Sequence, residues 1–348
     1  MEERDRHGRP ALPDVSRREA LKYLGGGALA LAAGRSADNV LVGYGSLVGT
    51  NLREQAETGA LDEIAHEGFG RRERYAAALG ERTLRLDGDT LSLQGADGAA
   101  FSRDVTALSS SEARELDDRH GLAGGPVAEL TRDLPALSDV DFQFHRFEPF
   151  FERLATAETR PFTVGAVRGP LVREVAPSDV TAFADVDPTA PQSVLTGLES
   201  AFREHTDYDI PRYVAGAVQD NVIFGAADLR APFREPVEFG ALADADGPRG
   251  MFCYEFTARS VEALHAVPAR RQRLPVLAAS VIDSRHKHVY TVVASLVREA
   301  GRLVAPATFV DYTHSTLYDD LNLRWALGEG FEAFDDRHRA TDIRWGHP

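Results

Sequence analysis

The sequence predicts an α+β protein, and three observations carry that reading. Thr83–Leu86 and Thr90–Leu93 alternate around Asp87-Gly88-Asp89, the pattern of a β-hairpin closed by an Asp-Gly turn. Between 193 and 224 the apolar residues recur at helical spacing instead: Val194, Leu195, Leu198 and Phe202, then Ile210, Tyr213, Val214, Ala217, Val218 and Val222. From 250 to 313 a helical stretch is followed by two strands joined at Glu299-Ala300-Gly301-Arg302. The expected core has helices packed on an antiparallel sheet.

The chain has 348 residues, enough for two ordinary domains or one large one, and 43% of them are apolar, so a real core can form. A net charge of −15 argues against a nucleic-acid partner, which would need a basic footprint. Lys22 and Lys287 are the only lysines, so the other 37 of the 39 basic residues are Arg. This Arg-rich, acidic composition resembles that of haloarchaeal proteins, whose surface acid keeps them soluble in high salt. Cys253 is the single cysteine, so no intramolecular disulfide can form. A lone cysteine is either a buried hydrophobe or a nucleophile, and its neighbours decide which.

The elements follow in order. Arg17-Arg18, then the apolar run Tyr23–Ala33, resemble a twin-arginine export signal over residues 1–33, although Ala20 stands where a phenylalanine is usual. The run is too short to span a membrane, and Ala28-Leu29-Ala30 or Ala30-Leu31-Ala32 suits a cleavage site. No cysteine follows for a lipid anchor, and no other stretch is long and apolar enough for a transmembrane segment. The resemblance implies an exported, extracellular or cell-surface protein. Residues 39–126 read as a β-rich N-terminal domain, beginning with a strand at Asn39–Leu47, with helical patches across Leu52–Leu79. Ser109 is a plausible cap for a short charged helix. Residues 127–192 read as a connecting region whose phenylalanines, at 140–151, are core. Residues 193–320 form the core, and 321–348 a tail that packs back through Trp325, Phe331, Phe334 and Trp345.

The chemistry lies between Gly250 and Thr313. Turn residues at 244–250 precede Cys253, and Phe256, Val261 and Leu264 after it predict a helix of about three turns. A cysteine at a helix N-terminus is favoured as thiolate by the dipole, and the free N–H groups there can hold an oxyanion. His288 opens the first following strand and Asp311 ends the second, interrupted at Pro306, so a hairpin brings the two to one sheet edge. A nucleophile, a base and a group that orients the base are what thiol catalysis needs.

This order is similar to the transglutaminase-like core of the papain-like cysteine superfamily, over about residues 207–316. Val267-Pro268-Ala269-Arg270 resembles the family's helix exit, His288–Val293 its His-containing strand and Asp311-Tyr312-Thr313 its D-P-T. The sequence departs from the family at Val289, Tyr290 and Tyr312, and in the three-residue step from Gly250 to Cys253. The resemblance implies a Cys253–His288–Asp311 triad, acyl transfer or amide hydrolysis on a protein or peptide substrate, and no organic cofactor. Gln219, on the preceding helix, is the candidate oxyanion side chain.

Other readings of the same residues stay open. His286-Lys287-His288 is an H-x-H pair on one strand face which, with Asp311 and His314, has the donors of a zinc site and would suit a metal-dependent hydrolase. Tyr44-Gly45-Ser46 resembles a short motif of γ-glutamylcyclotransferases. A non-catalytic extracellular binding or scaffold protein on the same fold would keep these residues too. Oligomeric state is not legible.

Overall fold

The computed structural model describes residues 60–168, 174–221, 223–284, 288–313 and 340–345. It is a mixed α+β fold with antiparallel sheets. The export segment, the Asn39–Leu47 strand with its Tyr44-Gly45-Ser46 motif, His286, His314, Trp325, Phe331 and Phe334 lie outside the described residues. No described helix is long and apolar enough to cross a membrane.

Helix α1 (Ala60–His66) leads into a four-stranded antiparallel meander of β1 (Arg74–Leu79), β2 (Arg82–Asp87), β3 (Thr90–Gly95) and β4 (Gly98–Asp104). The expected hairpin is β2–β3, with Gly88 at positive φ in its turn. Leu84, Leu86, Leu91, Leu93 and Phe101 are buried on one face. Among the described residues of Leu52–Leu79 the helical reading holds for α1 alone; Arg74-Tyr75-Ala76-Ala77-Ala78-Leu79 is a strand paired with β2 along its whole length. Alanine favours helix locally, but the ladder and the inward-facing Ala77 decide the outcome.

Helix α2 (Ser110–His120) starts as read. Ser109 is its N-cap and forms a capping box with Glu112. Then come α3 (Pro126–Asp133), β5 (Asp141–Phe144), α4 (Phe147–Thr156), β6 (Glu158–Thr159), α5 (Pro161–Val167) and α6 (Pro177–Ala184). Residues 127–192 therefore do more than connect, since they place β5 and β6 in the large sheet. Asp133, wholly buried, accepts from Arg160 Nε at 2.5 Å and Arg298 Nε at 2.8 Å and ties α3 to that sheet. One hydrophobic cluster runs from Leu61 through the meander to Tyr290, Phe309 and Trp345, so both sheets share a core.

Helix α7 (Pro191–His205), β7 (Thr206–Tyr208), α8 (Ile210–Asn221), α9 (Phe239–Ala243), β8 (Arg249–Met251) and α10 (Cys253–His265) precede the remaining strands of the large sheet. These are β9 (Leu277–Asp283), β10 (His288–Ala294), β11 (Val297–Glu299), β12 (Arg302–Val310) and β13 (Asp342–Arg344). Among the described residues the order is β13-β9-β10-β12-β11-β6, with β5 parallel to β12. Strand β9 is absent from the sequence reading. Pro306 does not interrupt β12. Its carbonyl accepts from Ser295 N at 3.0 Å, so its missing N–H faces the joint of β10 and β11, where the ladder is already broken. Of the tail, β13 pairs with β9 and Trp345 donates to the Ala65 carbonyl at 2.7 Å.

Candidate active site

Three local devices set Cys253 at the start of α10. Strand β8 pairs in parallel with β7, and Asp209 N donates to the Met251 carbonyl at 3.1 Å, so the chain arrives extended. Gly250 passes so close to Asp209 that an added Cβ would lie 2.8 Å from Asp209 Cγ. Phe252 is extended (φ −108°, ψ 164°), and the helix turns in at Cys253. Phe252 has no side-chain acceptor, so the N–H groups of Cys253 and Tyr254 have no side-chain cap.

The first turn is held by a cation that the sequence reading missed. Asp209 Oδ1 accepts from Arg212 N at 2.9 Å and starts α8, placing Arg212 against the turn. The buried Arg212 donates to Glu255 Oε1 and Oε2 at 2.9 and 3.2 Å and to the Tyr254 hydroxyl, and its guanidinium lies 4.5 Å from the Phe252 ring centroid. Glu255 Oε2 in turn accepts from Phe252 N at 2.8 Å. Glu255 alone would put a carboxylate two residues from the thiol, and Arg212 neutralises it.

His288 and Asp311 meet as expected. Asp311 follows β12 directly, just past the Thr291–Val310 pair. His288 Nε2 and Asp311 Oδ2 are 2.7 Å apart, with both side chains at most 2% exposed. Asp311 Oδ1 accepts from Thr313 N at 2.9 Å, which fixes the carboxylate. His288 also hydrogen-bonds the Cys253 side chain. Burial alone would lower the His288 pKa. The charge and hydrogen bond of Asp311, followed by those of Cys253, outweigh burial and raise it to about 10. The ring stacks on Tyr290, centroids 5.8 Å apart. Thr257 Oγ1, one turn after Cys253, lies 2.8 Å from the Cys253 carbonyl and 3.2 Å from that of Val289, linking α10 to β10 beside the histidine.

The far end of α10 is fixed as firmly. The buried Arg168 donates to the carbonyls of Leu264, Val267 and Val276, at 3.2, 2.9 and 2.9 Å, which places a cation at the negative end of the helix. Gln272 Nε2 donates to Leu264 O at 2.7 Å.

Gln219 is turned to another task. Its Oε1 accepts from Leu229 N at 2.9 Å and holds the loop after α8. No hydrogen bond joins it to the three site residues among those described. Of the alternative zinc donors, only His288 and Asp311 are described, and they bond each other. Among the described residues no group of three or more His, Cys, Asp or Glu could hold a metal ion. Arg212 could have been suspected from its place three residues after a capping Asp. Arg168 carries no local signal, since its partners lie 96 to 108 residues away. Comparison of the chain with protein-family models, curated proteins and solved structures gives no match.

Proposed function

We propose that this chain is a thiol acyl-transfer enzyme with a papain-like, transglutaminase-like core. The observation that carries the reading is the contact of Cys253, His288 and Asp311, three residues singled out from sequence across 59 positions. The Cys253 thiolate attacks the carbonyl carbon of a peptide or side-chain amide. The backbone N–H groups of Cys253 and Tyr254 receive the oxyanion. As the C–N bond breaks, the His288 imidazolium gives its proton to the leaving amine, and the acyl group stays as a thioester. Water or an amine then attacks, His288 takes its proton, and the C–S bond breaks to restore the thiolate. Asp311 holds the ring and stabilises its cation throughout. Export by the twin-arginine pathway and an acidic surface suited to high salt belong to the same reading.

Alkylation by iodoacetamide at pH 6 tests it. An ordinary thiol, with a pKa of about 8.5, is only ~0.3% thiolate at that pH. Cys253 is expected to react in the folded protein far faster than such a thiol. Arg212→Met should slow it about three- to tenfold by leaving Glu255 uncompensated, and Glu255→Gln should speed it. A Cys253 that reacts only after unfolding would make the fold a binding scaffold without the chemistry.

A further inference from the structure

Glu129 and Asp133 stand one turn apart on α3 and are 4% and 0% exposed. Both reach α5. Glu129 Oε1 accepts from Phe162 N at 2.8 Å, from Thr163 N at 2.7 Å and from Thr163 Oγ1 at 3.0 Å. The same hydroxyl lies 3.2 Å from Asp133 Oδ2. A hydroxyl has one proton to give, so it can serve only one of two ionised carboxylates at a time. Helix α5 in turn joins two layers. Its Gly165 lies against Tyr75 of the meander, where an added Cβ would come within 2.9 Å of the ring, and Arg168, which follows it directly, holds the end of α10.

The cations are divided unevenly between the two. Arg160 and Arg298 donate to Asp133, and Arg132 Nε lies 3.4 Å from it. Among the described residues no arginine hydrogen-bonds Glu129, whose bonds come from two backbone N–H groups and one hydroxyl. The Tyr75 phenol of β1 also faces Glu129 and is held protonated, by burial first and by that carboxylate second. Two buried carboxylates this near each other do not both ionise cheaply, and the proton settles on the one without a bonded cation. Burial, with a smaller push from Asp133, raises the Glu129 pKa from 4.5 to about 7, against the opposing charge of Arg160 and the bonds from Thr163.

We propose that Glu129 is a pH-sensitive latch between α3 and α5, closed while it carries a proton and loosened when that proton leaves. The protonated side chain keeps an oxygen for the N–H groups of Phe162 and Thr163. Loss of the proton leaves two buried negative charges about one threonine hydroxyl. The proposal does not depend on the chemistry of Cys253.

Urea titrations of the full chain and of Glu129→Gln from pH 5 to pH 8 test it. The folded value of about 7 stands above the ordinary 4.5, so the stability from this group is complete below about 4.5 and is lost as pH rises through about 7. Between pH 5 and pH 8 the folded-to-unfolded ratio of the unsubstituted chain should fall about tenfold or more relative to that of the variant. Other groups that titrate in this range do so in both chains and cancel in the comparison. The amide of Gln reproduces the protonated side chain, so the variant is expected to fold and to be the more stable chain at pH 8. Hydrogen exchange localises the effect. Protection of the Phe162 and Thr163 N–H groups should fall at pH 8 in the unsubstituted chain and hold in the variant. A parallel pH dependence of the two chains, unchanged protection at these two amides, or a variant that fails to fold or is the less stable chain at pH 8 would each overturn the proposal.

Discussion

Replacing His288 with Ala is expected to slow alkylation of Cys253 at pH 6 by about 100-fold, because the sulfur then loses the imidazolium beside it. The same change should destabilise the fold by about 3–5 kcal/mol, the cost of leaving one partner of a buried pair alone. Asp311 would lose the imidazolium that faces it at 2% side-chain exposure. Asp311→Asn separates the two effects, since it keeps the packing and removes only the charge. It should slow alkylation while costing less stability. A pH dependence follows from the raised His288 pKa. The folded value of about 10 stands above the ordinary 6.5, so the stability from this group is complete below about 6.5 and is lost as pH rises through about 10. Chemical denaturation between pH 7 and 10 should therefore show the unfolding free energy falling, and falling less in Asp311→Asn.

Arg168→Ala is expected to be the most damaging change remote from the three site residues. The Val267 and Val276 carbonyls lose their donor at once, each costing about 1–3 kcal/mol when left unsatisfied and buried, and Leu264 O is left with Gln272 alone. The vacated volume adds to this. Allowing for relaxation, a loss of about 3–5 kcal/mol is the expected result of a urea titration. Arg168→Lys should recover only part of it, because a single ammonium cannot reach three carbonyls as a planar fork does. A loss under about 1 kcal/mol for the alanine variant would mean that the helix end is not held in this way.

The legible parts of the molecule were those written in short-range spacing. The Asp87-Gly88 turn, the Ser109 cap and the start of α10 at Cys253 depend on residues within a few positions of one another. The His288–Asp311 approach was legible because a hairpin brings known ends together. What escaped depends on partners far along the chain. Strand β9 is nearly all buried between β10 and β13, so its Leu-Ala-Ala-Ser-Val-Ile-Asp shows no alternation to read. Strand β5 is four residues long and gains its identity only from a parallel partner more than 150 positions away. Arg212 and Glu255 stand 43 residues apart, and their meeting follows from the β7–β8 pairing. Gln219 fell to a local competitor, since the turn after α8 offers its amide oxygen the Leu229 N–H.

The central claim is that Cys253 accepts acyl groups with the help of His288. Intact-mass spectrometry after brief exposure to p-nitrophenyl acetate at neutral pH measures this directly. The account predicts one acetyl group on the folded chain, located at Cys253, absent from Cys253→Ala and formed far more slowly in Asp311→Asn. An unmodified chain, or an acetyl group that persists in Cys253→Ala, would contradict it.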